Sequence, residues 1–156
     1  MGLTVIGVGS WLSRDDAIGL MLVDELAARP PRPDLDFHTW EGVDALTITH
    51  DMLALSSPIL VVDCADLGLA PGEWRFFDAE SARLHLHGDT VSTHGFGLAD
   101  ALEMARGLGF EKPVHVFGVQ PFDLAPGTGL SDEMRHVFGR LLENLSDAAG
   151  RISGAT

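Results

Sequence analysis

Three short, continuous apolar runs along the chain predict buried β-strands. They span Leu3–Val8, Pro58–Cys64 and Pro113–Val119. Runs that lack a regular polar alternation are typical of strands covered on both faces, as in the centre of a parallel sheet. Weaker patterns predict two further strands, one at Asp34–Trp40 and one at an edge of the sheet, at Glu73–Phe77.

Between these runs, apolar residues recur with the spacing of a helix. The pattern predicts helices over Asp16–Ala28, Val43–Leu55, His94–Leu108 and Asp132–Leu145, the last with Ser131 as its N-cap. Strands that alternate with helices in this way predict an α/β chain, a three-layer α/β/α sandwich around a mostly parallel sheet. The 156 residues suit a single domain. We expect residues 146–156 to be a frayed tail, because they are mostly small and polar.

The charge of the chain limits its partners. It carries 10 Lys and Arg against 23 Asp and Glu, a formal net charge of −13, which argues against nucleic acid and anionic membranes as partners. The single cysteine, Cys64, excludes an intramolecular disulfide. Neither a signal peptide nor an apolar stretch of the roughly 20 residues needed to span a membrane is evident. We therefore expect a cytoplasmic protein.

Residues that can carry chemistry follow the predicted strands. Asp15 and Asp16 come after the first strand, Asp63 ends the second apolar run, and His94 stands at the start of a predicted helix. The carboxyl ends of parallel strands share one edge of a sheet, where ligands bind. Two carboxylates and an imidazole suit a divalent transition metal. The acids repel phosphate, and a complete G-x-G-x-x-G motif is missing, so a nucleotide-binding domain is the disfavoured alternative.

Each of these residues also has a purely structural interpretation. Asp15 or Asp16 can serve as the N-cap of the helix that follows. Asp63 can end its strand in a loop, and Asp66 can shape the Asp-Leu-Gly turn behind it. His94 can bind backbone at the start of its helix. The local pattern leaves both interpretations open.

Four segments together carry a resemblance to a known family. They read VIGVGSWLSRDDAIGLMLVDEL, LVVDCADLGLAPGEW, STHGFGLADALEMAR and VFGVQPFDLAPGTGLSDEM, in this order along nearly the whole chain. In this combination the chain resembles the [NiFe]-hydrogenase maturation endopeptidases. The resemblance implies an α/β/α fold with a twisted, mainly parallel five-stranded sheet. It also implies cleavage of a short C-terminal extension from the hydrogenase large-subunit precursor, after nickel has been inserted.

The resemblance points to Asp16, Asp63 and His94 as the catalytic and metal-binding residues. In the family, these positions are implicated in binding metal and in recognising nickel, so the implied metal is nickel carried by the substrate. The implied partner is the large-subunit precursor, with the endopeptidase expected to be a monomer. Two positions depart from the family pattern. Ser10 replaces the Asn of Gly-x-Gly-Asn, and Glu41-Gly42-Val43 replaces the Gly-Gly-Thr that lines the cleft in relatives.

The expected chemistry is hydrolysis by water, because the sequence shows no activated serine or cysteine nucleophile and no G-x-S-x-G motif. Nickel held by the precursor is expected to dock on the three ligand positions, while a carboxylate that does not bind metal accepts a proton. Which of Asp16 and Asp63 takes which role stays open. The alternative function is a non-catalytic chaperone that holds the large-subunit tail on an acidic cleft.

Overall fold

The apolar runs form the strands of one sheet. The computed structural model describes residues 2–80 and 97–154. Its strands are β1 (Leu3–Gly9), β2 (Leu35–Glu41), β3 (Ile59–Cys64), β4 (Trp74–Asp78) and β5 (Val114–Val119). They lie in the order β2-β1-β3-β5-β4. All neighbouring strands pair in parallel except β4, which runs antiparallel to β5 at the edge. The expectation of a mainly parallel five-stranded sheet is confirmed.

Four helices in the described part of the chain cover the two faces of this sheet. They are α1 (Ile18–Ala28), α2 (Ala45–Ala54), α3 (Leu98–Gly107) and α4 (Asp132–Ser153). Helices α1 and α4 pack together on one face, and α2 and α3 pack together on the other. The prediction of a three-layer α/β/α sandwich is therefore confirmed. None of the described helices is both long and apolar enough to cross a membrane.

The sheet divides the hydrophobic core into two clusters. Leu3 and Val5 of β1 join the cluster under α1 and α4, whereas Ile6 and Val8 join the cluster under α2 and α3. Successive side chains of a strand point to opposite faces. Because both faces are covered, every residue of β1 is buried. This double burial is the physical reason for the continuous apolar runs in the sequence.

The structure corrects the expectation of a frayed C-terminal tail. Helix α4 continues to Ser153, and Gly154 ends it in the left-handed conformation, with φ of 76°. Ala148 and Ala149 are buried in the core, because small side chains let the helix approach the sheet and α1 closely. A hydrogen bond from the side chain of Ser153 is the largest cause that lowers the pKa of the Asp34 carboxyl below its usual value. The small residues of this segment are thus packing residues.

The start of the first helix also differs from the prediction. Residues Arg14–Ala17 form a 3₁₀ turn, and α1 proper begins at Ile18. The Asp16 amide donates to the Ser13 carbonyl, at 3.0 Å, which is the tighter hydrogen-bonding pattern of a 3₁₀ helix. The third predicted helix is described from Leu98 onward, and its predicted start at His94 lies outside the described residues.

Candidate active site

Glycines bring the start of α1 against the carboxyl ends of two strands. A Cβ atom on Gly19 would lie 2.2 Å from the Val62 carbonyl oxygen and 2.6 Å from that of Val8. A Cβ atom on Gly9 would lie 2.3 Å from the carbonyl oxygen of Asp16. Side chains do not fit at such distances, so only glycine permits this approach. The close packing sets the position of the 3₁₀ turn, and with it the position of Asp16.

Two of the predicted site residues lie at the same edge of the sheet. Asp63 is in β3, beside Gly118 of β5, and the 3₁₀ turn that carries Asp16 contacts β3. The exposed fractions are only 4% for Asp16 and 5% for Asp63. Carboxylates are seldom buried unless a partner or a function holds them there. The expectation that both acids share the carboxyl edge is confirmed, while their chemical roles stay predictions.

Asp15 has a different task from its neighbour Asp16. Its side chain is fully buried and accepts hydrogen bonds from the amides of Phe122 and Asp123, each at 3.0 Å. It also accepts from the Ser131 amide at 2.8 Å and from the Ser131 hydroxyl at 2.9 Å. Asp15 thereby ties the loop that follows β5 to the loop that follows β1.

The N-cap interpretation of Asp15 and Asp16 is wrong. Ser13 is the N-cap of the 3₁₀ turn and Ala17 that of α1, and neither end has a side-chain capping hydrogen bond. The prediction that Ser131 caps the last helix is confirmed, since its hydroxyl accepts from the amide of Met134 at 3.2 Å. Local sequence could not reveal the role of Asp15, because its partners are more than 100 residues away.

Backbone hydrogen bonds join the same two loops directly. The Gly127 amide donates to the Leu12 carbonyl at 2.9 Å, and the Arg14 amide donates to the Gly127 carbonyl at 3.1 Å. The Asp15 amide donates to the Asp123 carbonyl, also at 3.1 Å. The guanidinium of Arg14 lies 3.6 Å from the carboxylate of Asp123. The loops after β1 and β5 therefore form one connected wall beside Asp16.

The end of β2 and the loop that follows it carry one of the two departures from the family pattern, Glu41-Gly42-Val43. Glu41, the last residue of β2, accepts a hydrogen bond from the indole nitrogen of Trp11 at 3.0 Å, so the loop after β1 is also joined to the end of β2. Gly42 has a φ of 63°, a conformation that favours glycine. Asp44 caps α2, and its bond from the Thr47 amide is the main cause that lowers the pKa of this carboxyl. The substituted segment thus has an ordered place at the rim of the site.

Of the other candidate residues, Asp66 and Cys64 have structural roles, and one is not described. Asp66 accepts from the Gly68 amide and from the Gln120 side chain, both at 3.2 Å, which confirms its role in the turn. Cys64 is buried in the core. His94 lies outside the described residues. In the described ranges, 2–80 and 97–154, no three His, Cys, Asp or Glu side chains form a group able to hold a metal.

Comparison with solved structures gives the class of protein. The chain superposes on the hydrogenase maturating endopeptidase HybD from Escherichia coli with a TM-score of 0.83 and 29% identity, over 99% of this chain and 94% of that one. It also shares the fold of the HybD maturation protease from Thermococcus kodakarensis, with a TM-score of 0.75 at 22% identity. The fold is that of an endopeptidase.

Sequence comparison then gives the family. The family model described as hydrogenase maturation protease matches residues 41–148 of this chain. The hydrogenase 2 maturation protease of E. coli strain K12 is 32% identical over 155 residues, which cover 99% of this chain and 93% of that protein. The HoxM expression/formation protein of Cupriavidus necator is 26% identical, over 97% of this chain and 76% of its own. The chain belongs to the hydrogenase maturation protease family, and is an endopeptidase that processes hydrogenase.

Proposed function

We propose that this endopeptidase removes a C-terminal extension from the large-subunit precursor of a [NiFe] hydrogenase after nickel has been inserted. Membership of the hydrogenase maturation protease family supports the proteolytic processing of a hydrogenase. The resemblance of its sequence motifs to the [NiFe] enzymes' endopeptidases supports the substrate and the order of events. We place the reaction in the cytoplasm, where precursor and inserted metal would meet.

The proposed site consists of Asp16, Asp63 and His94. One observation carries it, which is the burial of the two carboxylates at one edge of the sheet. The third member, His94, is proposed on the resemblance of its sequence segment, STHGFGLADALEMAR, to the family pattern. Carboxylate oxygens and an imidazole nitrogen suit divalent nickel.

In this scheme, nickel arrives as part of the substrate and the protease supplies the missing ligands. Such a site is complete only when a nickel-loaded precursor is bound, so selection for the loaded form needs no separate sensor. Water adds to the scissile carbonyl carbon, the C–N bond breaks, and the new amine takes up a proton. A carboxylate of the site that does not bind nickel accepts the proton from the attacking water.

The test is the processing of purified precursor, with and without nickel, followed by intact-mass spectrometry. Asp16→Asn, Asp63→Asn and His94→Ala should each slow processing by at least about 100-fold, the usual effect of losing a catalytic acid or base. Asp66→Asn is the matched control, an exposed acid of the same region that accepts hydrogen bonds from the Gly68 amide and the Gln120 side chain, and it should process normally. Normal processing by all three site variants would overturn the proposed site. A precursor that binds but never loses mass would indicate a holding chaperone instead.

A further inference from the structure

Three large apolar side chains are exposed on the loops beside the proposed site. The exposed fractions are 37% for Trp11, 70% for Leu12 and 39% for Leu124. Trp11 and Leu12 follow β1, and Leu124 follows β5. We call these three residues the apolar rim. Exposed apolar residues gathered on neighbouring loops are a feature of protein-binding surfaces.

The backbone that carries the apolar rim is held in place. Leu12 is joined to Gly127 by a backbone hydrogen bond of 2.9 Å, and Trp11 is joined to Glu41 by its indole nitrogen. Leu124 follows directly on Asp123, whose amide donates to the buried carboxylate of Asp15. A surface that is already ordered loses less conformational entropy when a partner binds. The rim is therefore built in advance of binding.

The chemistry of the rim selects the kind of partner. Beside the apolar rim, the Arg14 guanidinium lies 3.6 Å from the Asp123 carboxylate, and the Glu41 carboxylate accepts a hydrogen bond from the Trp11 indole, so each of these charges already has a partner in the protein. An uncharged, apolar stretch of polypeptide fits such a surface better than a strongly charged one. Tryptophan is among the residues that contribute most to protein interfaces.

We propose that the apolar rim binds an apolar segment of the precursor polypeptide next to the scissile bond. The inference rests on the proposed function, since the precursor is the proposed substrate. The apolar rim lies on the same loops that hold Asp16 at the carboxyl edge of the sheet. Trp11 and Leu12 lie shortly before Asp16 in the chain, so a peptide whose scissile bond reaches Asp16 and Asp63 would pass close to this rim. Nickel recognition and polypeptide recognition would then use different parts of the same edge, the acids for the metal and the rim for the chain.

The first test is steady-state processing of the nickel-loaded precursor by Leu12→Ser and Leu124→Ser. Removing the contact made by one buried leucine weakens binding by about tenfold, so kcat/KM should fall about tenfold, through KM and not through kcat. Leu108→Ser is the matched control. Its side chain is 67% exposed, much as Leu12 is, but it lies beyond α3, and its kinetics should equal those of the wild type.

A direct binding measurement separates this inference from the proposed function. Calorimetric titration of the precursor into Asp16→Asn should show a Kd about tenfold weaker when Leu12→Ser is added. Equal KM and equal Kd for Leu12→Ser, Leu124→Ser and Leu108→Ser would overturn the rim as the docking surface. If the wild type does not cleave the precursor, the proposed function fails, and the titration still decides whether the rim binds it.

Discussion

The close approach of α1 to the sheet gives the most direct test of how the site is positioned. Gly19→Ala adds one methyl group, and that carbon would lie 2.2 Å from the Val62 carbonyl oxygen and 2.6 Å from that of Val8, where ordinary contacts begin at 3.4 Å. Both obstacles are backbone atoms of the central strands, which cannot rotate away. The helix must therefore retreat by about 1 Å, the shortfall of the closer contact.

The expected effect follows from the size of that shift. Overpacking of this kind costs about 1–3 kcal/mol or more, and the better helix propensity of alanine returns about 1 kcal/mol of it. At about 2–4 °C per kcal/mol for a domain of this size, the melting temperature should fall by several degrees. A shift of α1 also moves Asp16, which lies in the 3₁₀ turn directly before the helix. Under the proposed function, processing should then slow by about 100-fold, the usual effect of a 1 Å displacement of a catalytic group.

The assay combines thermal unfolding by circular dichroism with processing of the nickel-loaded precursor. The control is Gly139→Ala, within α4, where an added Cβ meets nothing within 4 Å. It should stabilise the protein slightly, by about 0.5–1 kcal/mol, and leave processing unchanged. If Gly19→Ala melts and processes like the wild type, then the approach of α1 to the strands does not determine the geometry of the site.

Two other carboxylates give further predictions. Asp15→Ala leaves three amides and the Ser131 hydroxyl without their buried acceptor, and should destabilise the fold by about 3–5 kcal/mol in denaturant titration. Asp66→Ala, at an exposed residue, should change stability far less. Equal losses of stability for the two variants would refute the role of Asp15 in holding the loops after β1 and β5 together. Because the pKa of Asp34 is lower in the folded state, its contribution to stability is present above the usual value of 3.8 and is lost as pH falls through the folded pKa. Melting temperatures of wild type and Asp34→Asn should therefore differ at pH 6 and converge in acid; a constant difference would contradict the assignment.

Much of the fold can be predicted from the sequence, because burial produces local patterns of apolar residues. A strand covered on both faces has no polar alternation, so Leu3–Val8 and Pro58–Cys64 were recognisable without any long-range information. The edge strand β4 was predicted from a weak alternation, and its antiparallel direction was not predicted. The prediction of a frayed tail from Ser146 onward is wrong for the described residues, because small residues are equally typical of a loose end and of a tightly packed helix.

The site was predictable only in part, for a related reason. The rule that strand ends carry ligands brought Asp16 and Asp63 to one edge. The same rule does not distinguish the role of Asp15, which joins two loops, from that of Asp16, the candidate metal ligand, because the two residues are adjacent and identical in type. The difference lies in partners at Phe122 and Ser131, which only the folded chain brings near.

Ser131 has a consequence for the order in which this protein becomes competent. Its hydroxyl donates to Asp15, near the beginning of the chain, and accepts from the Met134 amide at the start of α4. The wall beside Asp16 is thus closed by the same residue that starts the last helix. During synthesis the chain grows from its N-terminus, so residues 14–17 emerge long before their supports. The wall beside Asp16 is therefore complete only after Ser131 has been synthesised and its amide and hydroxyl have met Asp15.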